Sequence, residues 1–175
     1  MRYLIDGYNL LHATGHLSGV ATPTSLARAR RALLDALVHR FGAAAACATV
    51  VFDVRRVPPG LAAEQDYQGV RVLHALGREA DDVIEELIRA EAAPPRLTVV
   101  SDDHRLREAA RRRRCAVAGC LDFFESLLHP PPPPQAPPDG NLKPEAVPGD
   151  LAAELERAFR LADGEDGTPE PLPPS

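Results

Sequence analysis

Residues 97–103 read Leu97-Thr98-Val99-Val100-Ser101-Asp102-Asp103, an apolar and β-branched run that ends on two carboxylates. A wholly apolar run this short suits a strand covered on both faces, as in a parallel sheet between helices. The same form occurs twice upstream. Arg2 to Ile5 is a strand ending at Asp6, and Ala48 to Phe52 is another ending at Asp53. Helical stretches separate these runs. Thr22-Pro23 offers an N-cap with proline at the first helical position, and Leu26, Ala29, Leu33 and Leu37 recur at spacings of three and four. Glu79 to Ala93 carries Val83, Ile84, Leu87 and Ile88 on one face and is stopped by Pro94-Pro95, while His104 to Arg113 and Leu121 to Leu128 supply two further helices. In Gly69 to Leu73, Val70 and Val72 alternate with Arg71 in the manner of an edge strand, and Cys115 to Ala118 is a last short strand. The expected fold class is α/β, a three-layer α/β/α sandwich around a parallel five-stranded sheet.

The chain has 175 residues and a formal net charge of −5, which by itself argues against an anionic partner. The charge is unevenly spread. Residues 1–129 hold 17 arginines against 16 carboxylates, whereas residues 130–175 hold 3 basic against 9 acidic residues and 13 of the 18 prolines. That break marks a domain edge. The expected organisation is one folded domain over 1–129, a proline-rich linker over 130–148, a short amphipathic helix over 149–163 (Leu151, Leu155, Phe159 and Ala162 on one stripe) and a disordered acidic tail over 164–175. No stretch reaches the roughly 18 apolar residues that span a bilayer, and no apolar leader precedes Asp6, so the expected location is cytoplasmic. Cys47, Cys115 and Cys120 are odd in number and form no CxxC pair, so neither a disulfide framework nor a zinc knuckle is indicated and buried thiols are expected.

Ligands of an open parallel sheet bind beyond the carboxyl ends of its strands, near the point where strand order reverses. Asp6, Asp53 and Asp103 stand at three such ends, and Glu79, Asp81 and Asp82 open a helix on the same rim. Six carboxylates aimed at one place repel one another unless cations lie among them. All-oxygen donors without His or Cys select hard divalent ions such as Mg2+ or Mn2+. Helix capping explains part of the pattern without any function: Asp82 with Glu85 fits a capping box, and Asp102 or Asp103 can cap the next helix. Capping accounts for about one acid per helix and leaves Asp6 and Asp53 over.

Tyr3-Leu4-Ile5-Asp6-Gly7-Tyr8-Asn9-Leu10-Leu11, Val50-Val51-Phe52-Asp53, Glu79-Ala80-Asp81-Asp82-Val83-Ile84 and Val99-Val100-Ser101-Asp102-Asp103 together resemble, in order, the motifs of the YacP-like branch of NYN domains, a subgroup of the PIN-like nucleases. The third block is also similar to the metal-binding block of the bacterial DNA polymerase 5'-nuclease domain. The resemblance covers about residues 2–128. It implies a metal-dependent ribonuclease, an endonuclease acting on RNA (mRNA, rRNA or tRNA) in association with mRNA or the ribosome, with one or two Mg2+ or Mn2+ ions. Carried over by position, it makes Asp6, Asp82 and Asp103 the foremost catalytic and metal-site residues, followed by Asp81, Glu79 and Asp53. One position departs from the pattern: where the 5'-nuclease motif has an aspartate two residues after the fourth-motif acid, this chain has Arg105. That loses a ligand for a second ion. It leaves open whether Asp102 or Asp103 is the ligand, and motivates the alternative of a catalytically weak or silent adaptor that binds RNA or the ribosome.

Substrate contacts are expected from Asn9 and Tyr8 after the first strand, from Ser101, from Arg55 and Arg56 beside Asp53, and from Arg105, placed to stabilise a leaving oxygen. Tyr8 is the one aromatic positioned for base stacking. Arg28, Arg30, Arg31 and Arg111 to Arg114 are further basic clusters that can follow a phosphate backbone. His12 and His16 fall in the loop after the first strand with no third ligand at zinc spacing. Tyr8 breaks the Asp-x-Asp phosphatase motif, and no Walker loop or GxGxxG occurs. A further reading makes the linker and acidic helix a docking arm for a basic partner.

Overall fold

A computed structural model describes residues 1–15, 22–54 and 60–129. Arg55, Arg56 and His16, and the linker, C-terminal helix and acidic tail expected from sequence, lie outside the described residues. In chain order the elements are β1 (Arg2–Asp6), α1 (Gly7–Ala13), α2 (Pro23–Phe41), β2 (Ala48–Val54), β3 (Glu64–Tyr67), β4 (Val70–Leu76), α3 (Ala80–Ala90), β5 (Leu97–Val100), α4 (His104–Arg112), β6 (Ala116–Ala118) and α5 (Cys120–Leu128). They form an α/β sandwich around one six-stranded sheet of order β3-β4-β2-β1-β5-β6.

The sheet corrects the expectation of five parallel strands. Five are parallel as read, and the sixth, β3, pairs antiparallel with β4 from Glu64 opposite Leu73 to Tyr67 opposite Val70. Its sequence, Glu-Gln-Asp-Tyr, has no apolar run to betray it. Pairing and the Arg71–Glu64 ion pair (Nε–Oε1 2.7 Å) across the two strands hold it in place. β4 is therefore interior, flanked by β2 and β3, and not the edge strand its alternation suggested. A two-residue turn joins the hairpin, with Gln68 and Gly69 at φ 49° and 93°, the left-handed pair that a type I′ turn requires.

Alternation along β1 sorts its side chains into two cores. Ile5 and Tyr3 join the layer made with α1, α2 and α5, where Leu10, Leu33, Leu37, Phe123 and Leu127 are buried. Leu4 faces the opposite layer, where Ile84 and Ile88 of α3 and Leu106 and Ala110 of α4 are buried. Each fully buried Ile or Leu contributes about 1.5–3 kcal/mol by leaving water, so the two layers clamp β1 from both faces. α2 starts as expected, with a reciprocal cap between Thr22 and Ser25. The segment after β1 does not: it is a helix, not a loop, and places Tyr8, Asn9 and His12 on α1. Seven residues opening on glycine give too little periodicity to reveal a helix.

Candidate active site

The chain builds outward from β1 to β2 and the β4–β3 hairpin, then returns through α3 to lay β5 on the other side of β1. The crevice beyond the carboxyl ends of β1 and β5 is thus the point where strand order reverses. Asp6 closes β1, and Ser101-Asp102-Asp103 follows β5 directly.

Asp6 lies on the Leu4 face of the strand, toward α3 and α4, and is only 7% exposed. Its Oδ1 accepts from the Asn9 backbone N–H at 3.1 Å, so Asp6 is also the N-cap of α1, a role the sequence did not suggest. Burial pushes its carboxyl from the usual 3.8 up to about 6, and the charges of Asp81 and Asp103 push the same way; the Asn9 amide and the Ser101 side chain oppose the rise. Ser101, fully buried, accepts from the Asp103 backbone N–H at 3.1 Å. Asp103 in turn caps α4, its Oδ1 accepting from Leu106 N–H at 3.1 Å. These local bonds fix two of the acids without neutralising them.

α3 supplies the third. Ala80, Ile84 and Ile88 form its buried stripe, which sets Asp81 at the margin of the core. Asp81 is raised by burial first and then by Asp103, with Arg105 opposing and Glu79 and Asp82 adding smaller pushes. Asp82 does not make the capping box with Glu85. Glu79 is the N-cap position and makes no side-chain cap, and both Asp82 and Glu85 turn to Arg105 instead: Nη2 donates to Asp82 Oδ1 at 2.8 Å and Nε to Glu85 Oε1 at 2.7 Å. The structure thus gathers Asp6, Asp81 and Asp103 in mutual electrostatic reach, with Glu79 exposed at the margin. Asp53 stands apart. It is half-buried within β2, which continues to Val54, and the group it perturbs is Tyr8.

Asp102 faces a different way from Asp103. Its Oδ1 accepts from the Cys120 N–H at the start of α5 at 3.1 Å and lies 3.5 Å from Arg107 Nη1. Asn9 ties the same corner together, its Oδ1 accepting from Asp102 N–H at 3.0 Å and from the Cys120 thiol at 3.1 Å. Burial pushes the Cys120 thiol up to about 12, with Asp102 contributing, so it stays protonated as a donor. Sequence reasoning missed Arg107, gave Cys120 only the role of a buried thiol and Glu85 only that of a capping partner; of these Glu85 alone had a signal, since positions three apart on a helix share a side.

On the other flank Tyr8 packs edge-on against Phe52 at 5.3 Å between ring centroids, with the Arg30 guanidinium 5.9 Å from the Phe52 ring. Arg111 to Arg114 lie at the opposite end of α4 from Asp103, away from this rim, and Arg113 bonds the carbonyls of Ile88 and Glu91 at the end of α3. Among the described residues, no group of three or more His, Cys, Asp or Glu side chains is drawn together closely enough to hold a metal ion as it stands. In kind, the donor set fits a hard divalent ion: carboxylate oxygens only, one of them buried, under a mutual repulsion that a cation relieves. No helix among the described residues is long and apolar enough to cross a membrane.

A family model described as a YacP-like NYN domain matches residues 3–129. Among solved structures, Rae1 (YacP) from Bacillus subtilis is similar at 24% identity and a TM-score of 0.56, over 73% of each chain. A single-residue mutant of that same protein is similar at 20% identity and a TM-score of 0.55, over 73% of this chain and 75% of that one. No curated protein matches.

Proposed function

The chain belongs to the YacP-like NYN domain family, with a PIN-like nuclease fold, and on that premise we propose that it is a metal-dependent endoribonuclease that hydrolyses RNA phosphodiester bonds. One observation carries the reading: a buried carboxylate, Asp6, is placed at the strand-order reversal, its pKa raised by burial first and then by the charges of Asp81 and Asp103 beside it. A structural cap has no need of two further acids beside it, and a cation site does. Asp6, Asp81 and Asp103 would hold Mg2+ or Mn2+. When bound, such an ion supplies Lewis acidity toward a phosphoryl oxygen and lowers the pKa of its water.

The protein's own groups do the rest. Ser101 and the Asn9 backbone amide hold Asp6 in orientation, and the α4 N-terminus holds Asp103. Tyr8 and Arg30, beside Asp53, offer an aromatic edge and a positive charge to the RNA, and Arg105 offers a second positive charge on the α3 side. The three free thiols support a reducing compartment, and the proposed setting is cytoplasmic RNA, in mRNA or on the ribosome. The bonds that occupy Asp82 favour a second reading, an RNA- or ribosome-binding adaptor without cleavage.

Incubating the full chain with RNA in Mn2+, Mg2+ or chelator separates the two. Metal-dependent cleavage leaving 5'-phosphate ends, reduced by on the order of 10²–10³-fold in Asp6→Asn with RNA binding kept, is the expected result. RNA binding without cleavage under every metal condition would sink the nuclease and leave the adaptor.

A further inference from the structure

Arg105 sits in the first turn of α4, two residues beyond the capping Asp103, and reaches across to α3. Its Nη2 and Nε bond separate carboxylates, Asp82 and Glu85, which stand three residues apart on one side of that helix. A planar guanidinium with two donors engaged is fixed in direction as well as position. Its charge is felt beyond its partners, since it pulls the Asp81 carboxyl down against the push of burial and Asp103. Five carboxylates crowd the first two turns of α3 and its N-cap, namely Glu79, Asp81, Asp82, Glu85 and Glu86; Arg105 takes Asp82 and Glu85 out of play, and Arg78 takes Glu86.

We infer that Arg105 is a built-in cation: it occupies the Asp82–Glu85 side of the rim and limits the site to a single divalent ion, held by Asp6, Asp81 and Asp103. This rests on the metal-binding reading above and adds a stoichiometry to it. A second divalent ion near Asp82 would meet a fixed positive charge and would have to break two charge-assisted hydrogen bonds to gain its ligands. Removing the guanidinium frees both carboxylates, which then face each other without a counter-charge. Arg105 is half-exposed and packs in neither core, so its loss leaves the fold intact.

The test is a Mn2+ titration of the full chain at about 0.15 M ionic strength, with bound ions counted by electron paramagnetic resonance and calorimetry, and folding followed by circular dichroism. The wild-type chain takes up one ion per chain, Arg105→Ala two, and Arg105→Ala with Asp82→Asn one again. Arg105→Lys, which keeps the charge, stays at one. Two ions on the wild type, or one on a folded Arg105→Ala, overturns the inference while leaving the metal-binding reading intact. No manganese on the wild-type chain removes both.

Discussion

Asp81 and Asp82 are neighbours on α3, yet they belong to opposite halves of the acidic rim. Asp81 joins Asp6 at the inner end, where burial first and then like charge, that of Asp103 included, raise both carboxyls. Asp82, one position round the helix, is bonded with Glu85 to Arg105, and Glu86 beyond it is bonded to Arg78 at 2.6 Å. The outer half has the composition of an ordinary solvated ion-pair network, which adds little to stability. In the inner half no ion pair forms among the described residues, and its buried member, Asp6, carries a cost that a fold keeps only where something is gained. Counting acids does not distinguish the halves; asking which acids are ion-paired among the described residues does.

The sharpest way to break this distinction is to neutralise one acid from each half. Asp81→Asn should lose RNA cleavage by on the order of 10²–10³-fold, as Asp6→Asn does, while Asp82→Asn stays within about tenfold of wild type. Equal losses, read as single-turnover rates, would erase the boundary drawn on α3.

Next in size is a stability effect of opposite sign. Asp6 has a folded-state pKa of about 6 against an unfolded value near 3.8. Its protonated form therefore contributes stability that is complete below about pH 3.8 and is lost as pH rises through 6. Asp6→Asn cannot ionise and can still cap α1, so in chelator at about pH 8 it should be more stable than wild type by up to about 3 kcal/mol. The gap should close below about pH 4, and Mn2+ should narrow it at the higher pH. A urea titration at both pH values in which the variant is less stable under the alkaline condition would show that Asp6 is an ordinary cap.

Gly7 sharpens the geometry. A Cβ there would stand 2.6 Å from Phe52 Cδ1, so Gly7→Ala must displace the buried Phe52 ring or α1 with the Asn9 amide that holds Asp6. The expected loss is about 1–3 kcal/mol by urea unfolding. At the small end, Arg78→Ala in the outer half should move the melting temperature by no more than about a degree. A drop as large as that of Gly7→Ala would mean the outer ion pairs are structural after all.

Much of this was legible in the sequence because burial on both faces demands apolar runs, and β1, β2 and β5 have them. Asp6 at the end of β1 and Asp103 just beyond β5 were legible for the same reason, whereas Asp53 follows an apolar run but lies inside β2. What stayed hidden depends on neighbours. β3 is exposed over Glu64-Gln65-Asp66 and exists through its pairing with β4. α1 is held by the Asp6 cap and by Leu10 and Leu11 in the core, neither visible in so short a segment. The choice between Asp81 and Asp82 turns on the rotation of α3, which Ala80, Ile84 and Ile88 set only once packed. Asp102 and Asp103 were separated only by the arrival of α5, whose first amide claims Asp102.

The β3–β4 hairpin bears on the order in which the molecule assembles. Its two strands are joined by Gln68 and Gly69 alone, whereas every other pairing in the sheet unites parallel strands through longer connections. Hairpins of this kind close in about 1–10 μs, well before long loops repay their closure entropy. The expected order is hairpin first, with β4 meeting β2 after its far side is taken, and slower folding in β3–β4 turn variants such as Gly69→Val would check it.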